Sequence, residues 1–387
     1  MPASPPTSAS TAATAAAASG LLVPGAVTRA PTTDDLEMVV GLFAAAAAAR
    51  GGSSPGLRRE DLRIRWLMLD DLDDAVLVLD ASDQDHLLAY GSAPVDVETL
   101  PETGTLEAVV HLEGEVHPDH RGRGLANFLL DRAVAAGVAA LADAANGPAP
   151  IDAPAAAALA DADRPPHPPL RTDGPSTARV RVRTALVDGT AAEREWFAAR
   201  GFTAVRHLLE LRLDLHAPPP GPRWPAGVTV RTFRPGEDEE VLWRAHQAAF
   251  ADVPTHLPID RDDFLTDRAP ADDPGLVLLA EHAKPEPEVI AVAVCRAGTE
   301  VAAEEGWVRD LGVLPAWRRR GVAMALLRAA FARFRERGLT GVALEVDDVT
   351  LDGAVALYRR AGMRVTHRTD VLERSHVVEL SPSPQAT

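Results

Sequence analysis

An arginine-rich turn in the C-terminal half has the residue types and spacing best suited to ligand chemistry. Residues 313–323 read VLPAWRRRGVA and join a strand-like run to a helix-like run. Small residues at 321 and 323 let the backbone approach a ligand, and free N–H groups at a helix start attract phosphate oxygens. Three arginines add cationic donors for a polyphosphate. One copy alone is explained equally well as a solvated helix start.

The same turn occurs a second time in the chain. Residues 116–126 read VHPDHRGRGLA and lie 197 residues before their counterpart. A later landmark, WFAARGF at 196–202, matches LYRRAGM at 357–363 with an offset of 161. A repeat of this length indicates two duplicated domains. Two copies weaken the explanation by a solvated helix start, and the sequence has neither a P-loop nor a Rossmann glycine fingerprint.

The change of offset indicates an insertion of about 36 residues in the first half. It falls at residues 143–178, a low-complexity stretch of Ala, Pro and Asp that predicts a surface loop. Five prolines in 217–225 predict a short stiff spacer. We therefore predict a disordered tail at 1–26, an N-terminal domain at 27–216, a linker at 217–226 and a C-terminal domain at 227–387.

Composition and charge exclude several classes of function. The net charge of −17 argues against sequence-independent nucleic-acid binding and is compatible with cationic substrates such as amines. The one cysteine, Cys295, excludes an internal disulfide framework and a cysteine-rich metal site. The sequence contains no run of 18 apolar residues, so it predicts no membrane span. A secretory signal needs a positively charged N-terminal region, and no Lys or Arg precedes Arg29. We therefore expect a cytoplasmic protein that binds neither membrane nor nucleic acid.

Hydrophobic periodicity in the C-terminal half predicts the order β-α-α-β-β-β-α-β-α-β-β, a mixed α/β fold. The elements around the turn are a strand at 307–313 and a long helix at 319–337 that Gly338 ends. A shorter helix follows at 353–361, and two closing strands at 364–369 and 376–380 complete the domain.

Arg-x-x-Gly-x-Ala after a strand and a proline, followed about 35 residues later by LYRRAGM, resembles the GNAT superfamily of acetyl-CoA-dependent N-acetyltransferases. The resemblance covers nearly everything outside the tail, insertion and linker. The chain is similar to the tandem two-domain members of actinobacteria, of which mycothiol synthase is the best-known type, without a close match to that enzyme. The resemblance implies two tandem domains, each a mixed, mostly antiparallel twisted sheet flanked by helices.

The resemblance also implies acetyl-CoA as co-substrate, without a metal. The strand residues Leu311, Gly312 and Val313 would pair with the pantetheine arm, and the Val313 N–H would polarise the thioester carbonyl. Thr350 stands where the family often has an asparagine that contacts the arm. The implied pyrophosphate-binding residues are Arg318, Arg319, Arg320, Gly321, Val322 and Ala323.

Tyr358 occupies the position from which family members protonate the departing thiolate, and a core tyrosine is the alternative. Many members place a carboxylate base where this chain has Trp307. Strand alternation places Glu305 on the face of Trp307 and Asp310 on the opposite face. We therefore expect Glu305 to be the base, acting through water. The alternatives are an exposed acid at the strand start, or deprotonation by solvent for an amine of modest pKa.

The N-terminal half keeps the turn but has Phe197 at the tyrosine position, with no proton to give. We expect a degenerate, structural or regulatory copy that retains the means to bind CoA. The residues of its turn are Arg121, Gly122, Arg123, Gly124, Leu125 and Ala126.

The predicted function is acetyl transfer from acetyl-CoA to a primary amine of a small molecule in the C-terminal domain, by a monomer or homodimer. Acidic residues in 252–273 suit a cationic acceptor, although helix capping and solubility explain each of them as well. One alternative is a non-catalytic acyl-CoA-binding or sensing protein. The other is an acyltransferase that acts on a hydroxyl or uses a longer acyl chain.

Overall fold

The structure is a computed structural model. It describes residues 23–380 apart from 52–56, 58, 68, 70–71, 101–102, 104, 147–175, 254–257, 269–272, 284–286, 299–303 and 348–352. Thr350, most of the predicted tail and most of the predicted insertion lie outside the described residues.

The described residues contain fourteen strands and eight α-helices. The strands are β1 (Ala26–Arg29), β2 (Ala75–Asp80), β3 (Leu87–Ser92), β4 (Val95–Thr99), β5 (Leu106–His111), β6 (Glu113–Val116), β7 (Ser176–Val187), β8 (Thr203–Asp214), β9 (Val228–Thr232), β10 (Val277–His282), β11 (Glu288–Ala297), β12 (Glu305–Val313), β13 (Gly341–Asp347) and β14 (Arg364–Leu380). The helices are α1 (Leu36–Ala49), α2 (Arg59–Leu67), α3 (Leu125–Asn146), α4 (Ala191–Ala198), α5 (Glu239–Phe250), α6 (Arg261–Arg268), α7 (Val322–Glu336) and α8 (Ala354–Arg360). The mixed α/β class and the predicted element order around the turn are confirmed.

The chain divides into two compact units. Unit 1 comprises residues 1–205 and 371–387, and unit 2 comprises residues 206–370. Strand β14 therefore contributes its first part to unit 2 and its last part to unit 1. The sequence predicted two separate closing strands here, and that prediction was wrong, because residues 370–375 continue the extended backbone without interruption.

Unit 2 is built on a sheet in the order β9-β10-β11-β12-β13-β8-β14. Its neighbours are antiparallel from β9 to β12, and β12 pairs with β13 in parallel. This parallel pairing covers only three residues, from Glu305 with Gly341 to Trp307 with Ala343. Beyond Trp307, β12 keeps only β11 as a ladder partner among the described strands. The two strands therefore diverge and leave an opening in the sheet.

Helices cover the sheet of unit 2 on both faces. Helix α7 inserts an apolar stripe that includes Leu326, Ala330 and Phe334 against β11, β12 and β13. Helix α5 packs Leu242 and Ala245 against Val292 and other residues of the second face. These apolar contacts fix the positions of the helix ends that flank the opening.

Unit 1 repeats this arrangement with two smaller sheets. One has the order β1-β2-β3-β6, and the other has the order β4-β5-β7 followed by β14. Strand β5 pairs with β7 in parallel over residues 107–111, after which β6 turns to pair with β3. The opening beyond the parallel pair is thus present in both units.

An ion pair at the start of each unit supports the duplication. Asp35 accepts two hydrogen bonds of 2.6 Å from Arg29 and a third from a backbone N–H. Asp238 accepts hydrogen bonds of 2.5 and 2.9 Å from Arg231 and likewise one from a backbone N–H. Both pairs tie the first strand to the first helix of their unit.

Helix α3 of unit 1 is long and apolar enough over Leu125–Ala145 to count as a candidate membrane span by length and composition. Phe128, Leu130, Ala133 and Leu141 on this helix are buried in the core of the unit. These four residues place one side of the helix in the core of the unit.

The described ends of the predicted tail and insertion have regular structure. Val23 packs against the core and β1 begins at Ala26. Helix α3 continues to Asn146, and β7 begins at Ser176.

Candidate active site

The arginine-rich turn of unit 2 lies between β12 and α7 and has an unusual backbone. Arg319 has φ +60° and Gly321 has φ +86°, so two residues two positions apart are left-handed. The helix therefore begins at Val322, three residues later than the sequence predicted. A left-handed arginine is strained, and such strain is concentrated at functional sites. A Cβ at Gly321 would meet no atom within 4 Å, so the backbone angle and not packing requires glycine here.

This turn presents a row of backbone donors. Within the part of the chain that the structure describes, the N–H groups of residues 319–324 donate to no backbone carbonyl. Val322, Ala323 and Met324 lie in the first turn of α7, where such groups have no intrahelical partner and the helix dipole is positive. The exposed side chains of Arg319 and Arg320 flank them. This arrangement can hold a pyrophosphate.

Arg318 has a different position from the other arginines of the turn. Its guanidinium pairs with both carboxylate oxygens of Asp252, at 2.5 and 2.8 Å. It also donates to the carbonyl oxygens of Val313 at 3.1 Å and Ala249 at 2.9 Å. The hydrogen bond from Arg318 holds the pKa of Asp252 below its usual value. The side chain thus fastens the turn to the end of α5.

A β-bulge in β12 changes the faces on which its side chains lie. The register with β11 shifts between Asp310, which pairs with Val294, and Val308, which pairs with Cys295. Arg309 is the extra residue, so the alternation reverses there. The predicted faces were therefore wrong, since Asp310 lies on the face of Trp307. Leu311 and Val313 lie on the other face.

Asp310 faces a buried histidine of α5. His246 is 1% exposed, and its Nε2 lies 3.7 Å from the Oδ1 of Asp310. The His246 ring packs against Phe250 and Phe264, with centroids 4.6 and 4.7 Å away. The Asp310 side chain itself keeps 12% of its surface exposed. The His246–Asp310 pair was not predictable from the sequence, because the two residues are distant in the chain and no pattern within β12 indicates the bulge.

Tyr358 lies on α8 and is 8% exposed. Burial, and secondly the charge of Asp310, raise the pKa of the phenol to about 12. The two groups are therefore close enough to interact electrostatically. A phenol with this pKa is protonated at neutral pH and can donate a proton.

Glu305 lies at the closed end of the opening, where β12 still pairs with β13. Its carboxylate accepts a hydrogen bond of 2.9 Å from Arg212, which also binds Glu210. Eight residues separate it from Val313, roughly 26 Å of extended strand. Glu305 is therefore far along the strand from Val313, whereas the charge of Asp310 reaches the phenol of Tyr358.

The turn of unit 1 has the same backbone conformation. Gly122 and Gly124 have φ +78° and +90°, and they stand 197 residues before Arg319 and Gly321. The sequence signature of the turn thus corresponds to one left-handed pattern in both units. A cavity of about 340 Å³ lies beside it, between Val23, Asp80 and Arg123, among others.

A cluster of ion pairs lies beside the turn of unit 1. Arg50, at the end of α1, binds Glu115 of β6 at 2.8 and 3.1 Å and Glu193 of α4 at 3.1 Å. Arg121 lies 3.7 Å from Glu115 and 3.6 Å from Glu193. All three partners are largely buried. Unit 2 has Gly312 at the position of Glu115, so it lacks this cluster.

Phe197 of unit 1 stands at the position of Tyr358. Its ring makes edge contacts with Trp196 at 4.9 Å and Phe202 at 5.2 Å between centroids. It packs in the core of unit 1 and carries no proton to donate.

Comparison with known proteins agrees with this geometry. The model of the Acetyltransferase (GNAT) family matches residues 239–363, which contain the turn, β12 and Tyr358. The mycothiol acetyltransferase of Frankia casuarinae is 33% identical over 306 residues, 71% of this chain and 74% of that protein. The chain belongs to the GNAT acetyltransferase family.

Solved structures extend the likeness to both units. A GCN5-related N-acetyltransferase from Sphaerobacter thermophilus is 29% identical with a TM-score of 0.68, covering 94% of this chain and 99% of that one. A tandem GNAT protein from the clavulanic acid biosynthesis pathway has a TM-score of 0.54 at 15% identity, covering 93% and 100%. The second comparison shows the fold alone. The predicted GNAT resemblance is confirmed.

Asp260, Asp262 and Cys295, which the sequence offered as chemistry-bearing residues, have local partners or deep burial. Asp260 accepts the backbone N–H of Asp262 at 2.8 Å, and Asp262 pairs with Arg261 at 2.8 Å, as expected at the start of α6. Cys295 is fully buried, and burial raises its pKa, which keeps the thiol protonated. Among the described residues, no group of three His, Cys, Asp or Glu side chains is arranged to hold a metal.

Proposed function

We propose that the protein is an acetyl-CoA-dependent N-acetyltransferase that acts on a primary amine of a small molecule, with its active site in unit 2. Tyr358 carries this proposal. It is one of two tyrosines in the chain, it lies at the family's position for the general acid, and its raised pKa keeps the proton available. A protein that only binds acyl-CoA has no need of an acid there.

The turn between β12 and α7 supports acetyl-CoA as co-substrate. Its backbone donors and its two exposed arginines fit the CoA pyrophosphate. The opening between β12 and β13 leaves the strand edge at Leu311–Val313 available to the pantetheine arm. In this proposal, the Val313 N–H polarises the thioester carbonyl, and Arg318 acts through its hold on the turn.

The contrast between the two units supports placing the chemistry in unit 2. Unit 1 keeps the turn but has Phe197 in place of the acid. Its Arg50, Glu115 and Glu193 cluster lies beside β6, whereas at the equivalent Gly312 of unit 2 the side chains of Ala249 and Phe250 pack against the strand. We propose that unit 1 is a structural or regulatory copy.

The names of the curated relatives suggest the first acceptor to test. The relatives are named mycothiol acetyltransferase, so the amine that lacks the acetyl group of mycothiol is a natural candidate. The net charge of −17 is compatible with a cationic amine. We further propose a cytoplasmic location, in keeping with a substrate of this kind.

The test is a screen of purified protein with acetyl-CoA and a panel of acceptors, read by mass spectrometry of the acetylated product. The panel contains desacetyl-mycothiol, simple primary amines and their hydroxyl analogues, with a longer acyl-CoA as a second donor. We expect acetylation of one or more amines. Binding of acetyl-CoA by calorimetry without any product would favour the acyl-CoA-binding alternative. Turnover of only the hydroxyl analogues or the longer acyl chain would favour the other.

A further inference from the structure

The amine acetyltransferase proposed above needs a base, and the structure offers one that the sequence analysis placed on the wrong face. A primary ammonium has no free electron pair and must lose a proton before it attacks the thioester. The bulge at Arg309 turns Asp310 to the face of His246, three residues before Val313. At about 3.3 Å per residue this is roughly 10 Å of strand, a span that a carboxylate side chain and one water can bridge.

Asp310 lies within electrostatic reach of three titratable groups. His246 of α5 faces its carboxylate, while the charge of Asp310 also acts on Cys295 of β11 and Tyr358 of α8. Burial and the negative charge of Asp310 together keep the thiol and the phenol protonated. His246 is the one of the three whose side-chain nitrogen lies beside the carboxylate, with Nε2 at 3.7 Å from Oδ1.

Unit 1 has a carboxylate at the equivalent position with a different partner. Glu113 stands 197 residues before Asp310, and its carboxylate pairs with the guanidinium of Arg65 on α2. An arginine stays charged and holds its carboxylate permanently, whereas a histidine exchanges a proton near neutral pH. The position that serves as a structural ion pair in unit 1 is thus suited to proton transfer in unit 2.

We propose that Asp310 is the general base that takes the proton from the acceptor ammonium, directly or through one water, and that His246 is its positioning residue. This inference rests on the amine acetyltransferase function proposed above. It replaces Glu305, whose carboxylate is engaged by Arg212 at the closed end of the opening.

The proton balance of the reaction then closes within the site. Asp310 removes one proton from the ammonium, and the nitrogen electron pair attacks the thioester carbon, which forms the C–N bond. As the tetrahedral intermediate collapses, the C–S bond breaks, its electron pair leaves on sulfur, and Tyr358 gives that sulfur a proton. The nitrogen loses a second proton, which restores the phenol. The proton on Asp310 passes to solvent, so the products are the amide, CoA thiol and one proton.

The test compares Asp310→Asn with the wild type on two acceptors. One is an aliphatic amine, which is protonated at the assay pH, and the other is a weakly basic aromatic amine, which is already neutral. We expect kcat/KM for the aliphatic amine to fall by about 10²–10⁴-fold and for the aromatic amine by less than about tenfold. Because both are measured on one preparation, a partly unfolded sample changes both values equally and leaves their ratio intact.

The pH profile adds a second readout. With Asp310→Asn, kcat/KM for the aliphatic amine should rise about tenfold per pH unit up to the amine's own pKa, since solvent alone then supplies the free base. Glu113→Gln in unit 1 is the matched control and should leave turnover and profile unchanged. Equal losses on both acceptors, or a wild-type profile in Asp310→Asn, would overturn the role of Asp310.

His246 is tested by a pair of amide variants. His246→Gln places an amide nitrogen near the former Nε2, whereas His246→Asn places it near Nδ1, so only glutamine can contact Asp310. We expect the asparagine variant to shift the pH profile for the aliphatic amine and the glutamine variant to restore it in part. A fall in melting temperature without a moved profile would assign His246 a packing role instead. If the wild type acetylates no amine at all, the proposed function itself is refuted. That outcome is distinguishable from a failure of the role of Asp310, which requires an active wild type.

Discussion

Replacing Tyr358 by phenylalanine removes one oxygen and leaves the buried ring in place. Tyr358 is 8% exposed and packs in the core cluster of unit 2 with Met363 and residues of α7. Because the ring contacts remain, we expect the variant to fold and to bind acetyl-CoA with unchanged affinity. Chemistry should suffer, because a positioned general acid contributes about 10²–10⁴-fold to the rate.

The expected change therefore lies in kcat. A fall of about 10²–10⁴-fold corresponds to about 3–5 kcal/mol of lost transition-state stabilisation. The apparent KM for acetyl-CoA should change little, since the proton is given only as the thiolate leaves. Steady-state kinetics on the best acceptor provides the measurement. A variant with wild-type kcat would refute the assignment and leave Tyr358 as a packing residue.

The raised pKa of Tyr358 makes a separate prediction about stability in alkali. Below pH 10 the phenol is protonated in both the folded and unfolded chain. Between about pH 10 and 12 the unfolded chain loses this proton while the folded chain retains it, so the free energy of unfolding falls as the pH rises. The loss is about 1.4 kcal/mol at pH 11 and on the order of 3 kcal/mol by pH 12, since each pKa unit of difference between the states is worth about 1.4 kcal/mol. Tyr358→Phe should lack this contribution, so chemical denaturation at pH 8 and pH 11 should show a smaller loss of stability in the variant than in the wild type, by about 1.4 kcal/mol.

Gly321→Glu should abolish acetyl-CoA binding in unit 2, because it places a carboxylate at the proposed pyrophosphate site. Gly321→Asn is the control, since asparagine tolerates a left-handed backbone, and it should retain most of the binding. Unchanged calorimetric affinity of the glutamate variant would contradict the pyrophosphate site. Asp252→Ala should raise the Kd for acetyl-CoA about two- to fivefold by releasing Arg318 and the turn it holds, and an unchanged Kd would show that the pair is dispensable. Arg121→Glu should leave turnover intact but lower the melting temperature, because it adds a third carboxylate to the ion cluster of unit 1. The exposed Arg123→Glu is the control and should change neither turnover nor melting temperature. Loss of turnover in Arg123→Glu would mean that unit 1 takes part in catalysis.

The turn was predictable from sequence because its requirements are local. A left-handed backbone before a helix selects glycine, and both Gly124 and Gly321 are visible as such in a single reading of the chain. The position of Tyr358 was equally accessible, because it follows from spacing to the second landmark. The fold class was predictable from hydrophobic periodicity, because periodicity is also a local property of the sequence.

Features that depend on distant partners were not predictable. The face on which Asp310 lies depends on a register shift in its ladder with β11, which no pattern within β12 encodes. The role of Arg318 depends on Asp252, 66 residues away in the chain, and looks from sequence like one more phosphate ligand. Glu305 seemed available because its partner Arg212 lies on β8, 93 residues earlier in the chain.

The two units share the contacts that hold the fold together and differ at a few positions along the strand beside the proposed site. The ion pairs Arg29–Asp35 and Arg231–Asp238 persist because each ties its first strand to its first helix, which any working copy of the fold needs. The divergent positions lie instead along the splayed strand. Gly312 lets Ala249 and Phe250 pack directly on β12, where a Cβ would come within 2.8 Å of either side chain. Unit 1 has Glu115 there, whose carboxylate pairs with Arg50 and lies near Arg121. The charged strand position Glu115 and the phenylalanine at 197 are thus two positions at which unit 1 departs from the arrangement proposed for catalysis in unit 2.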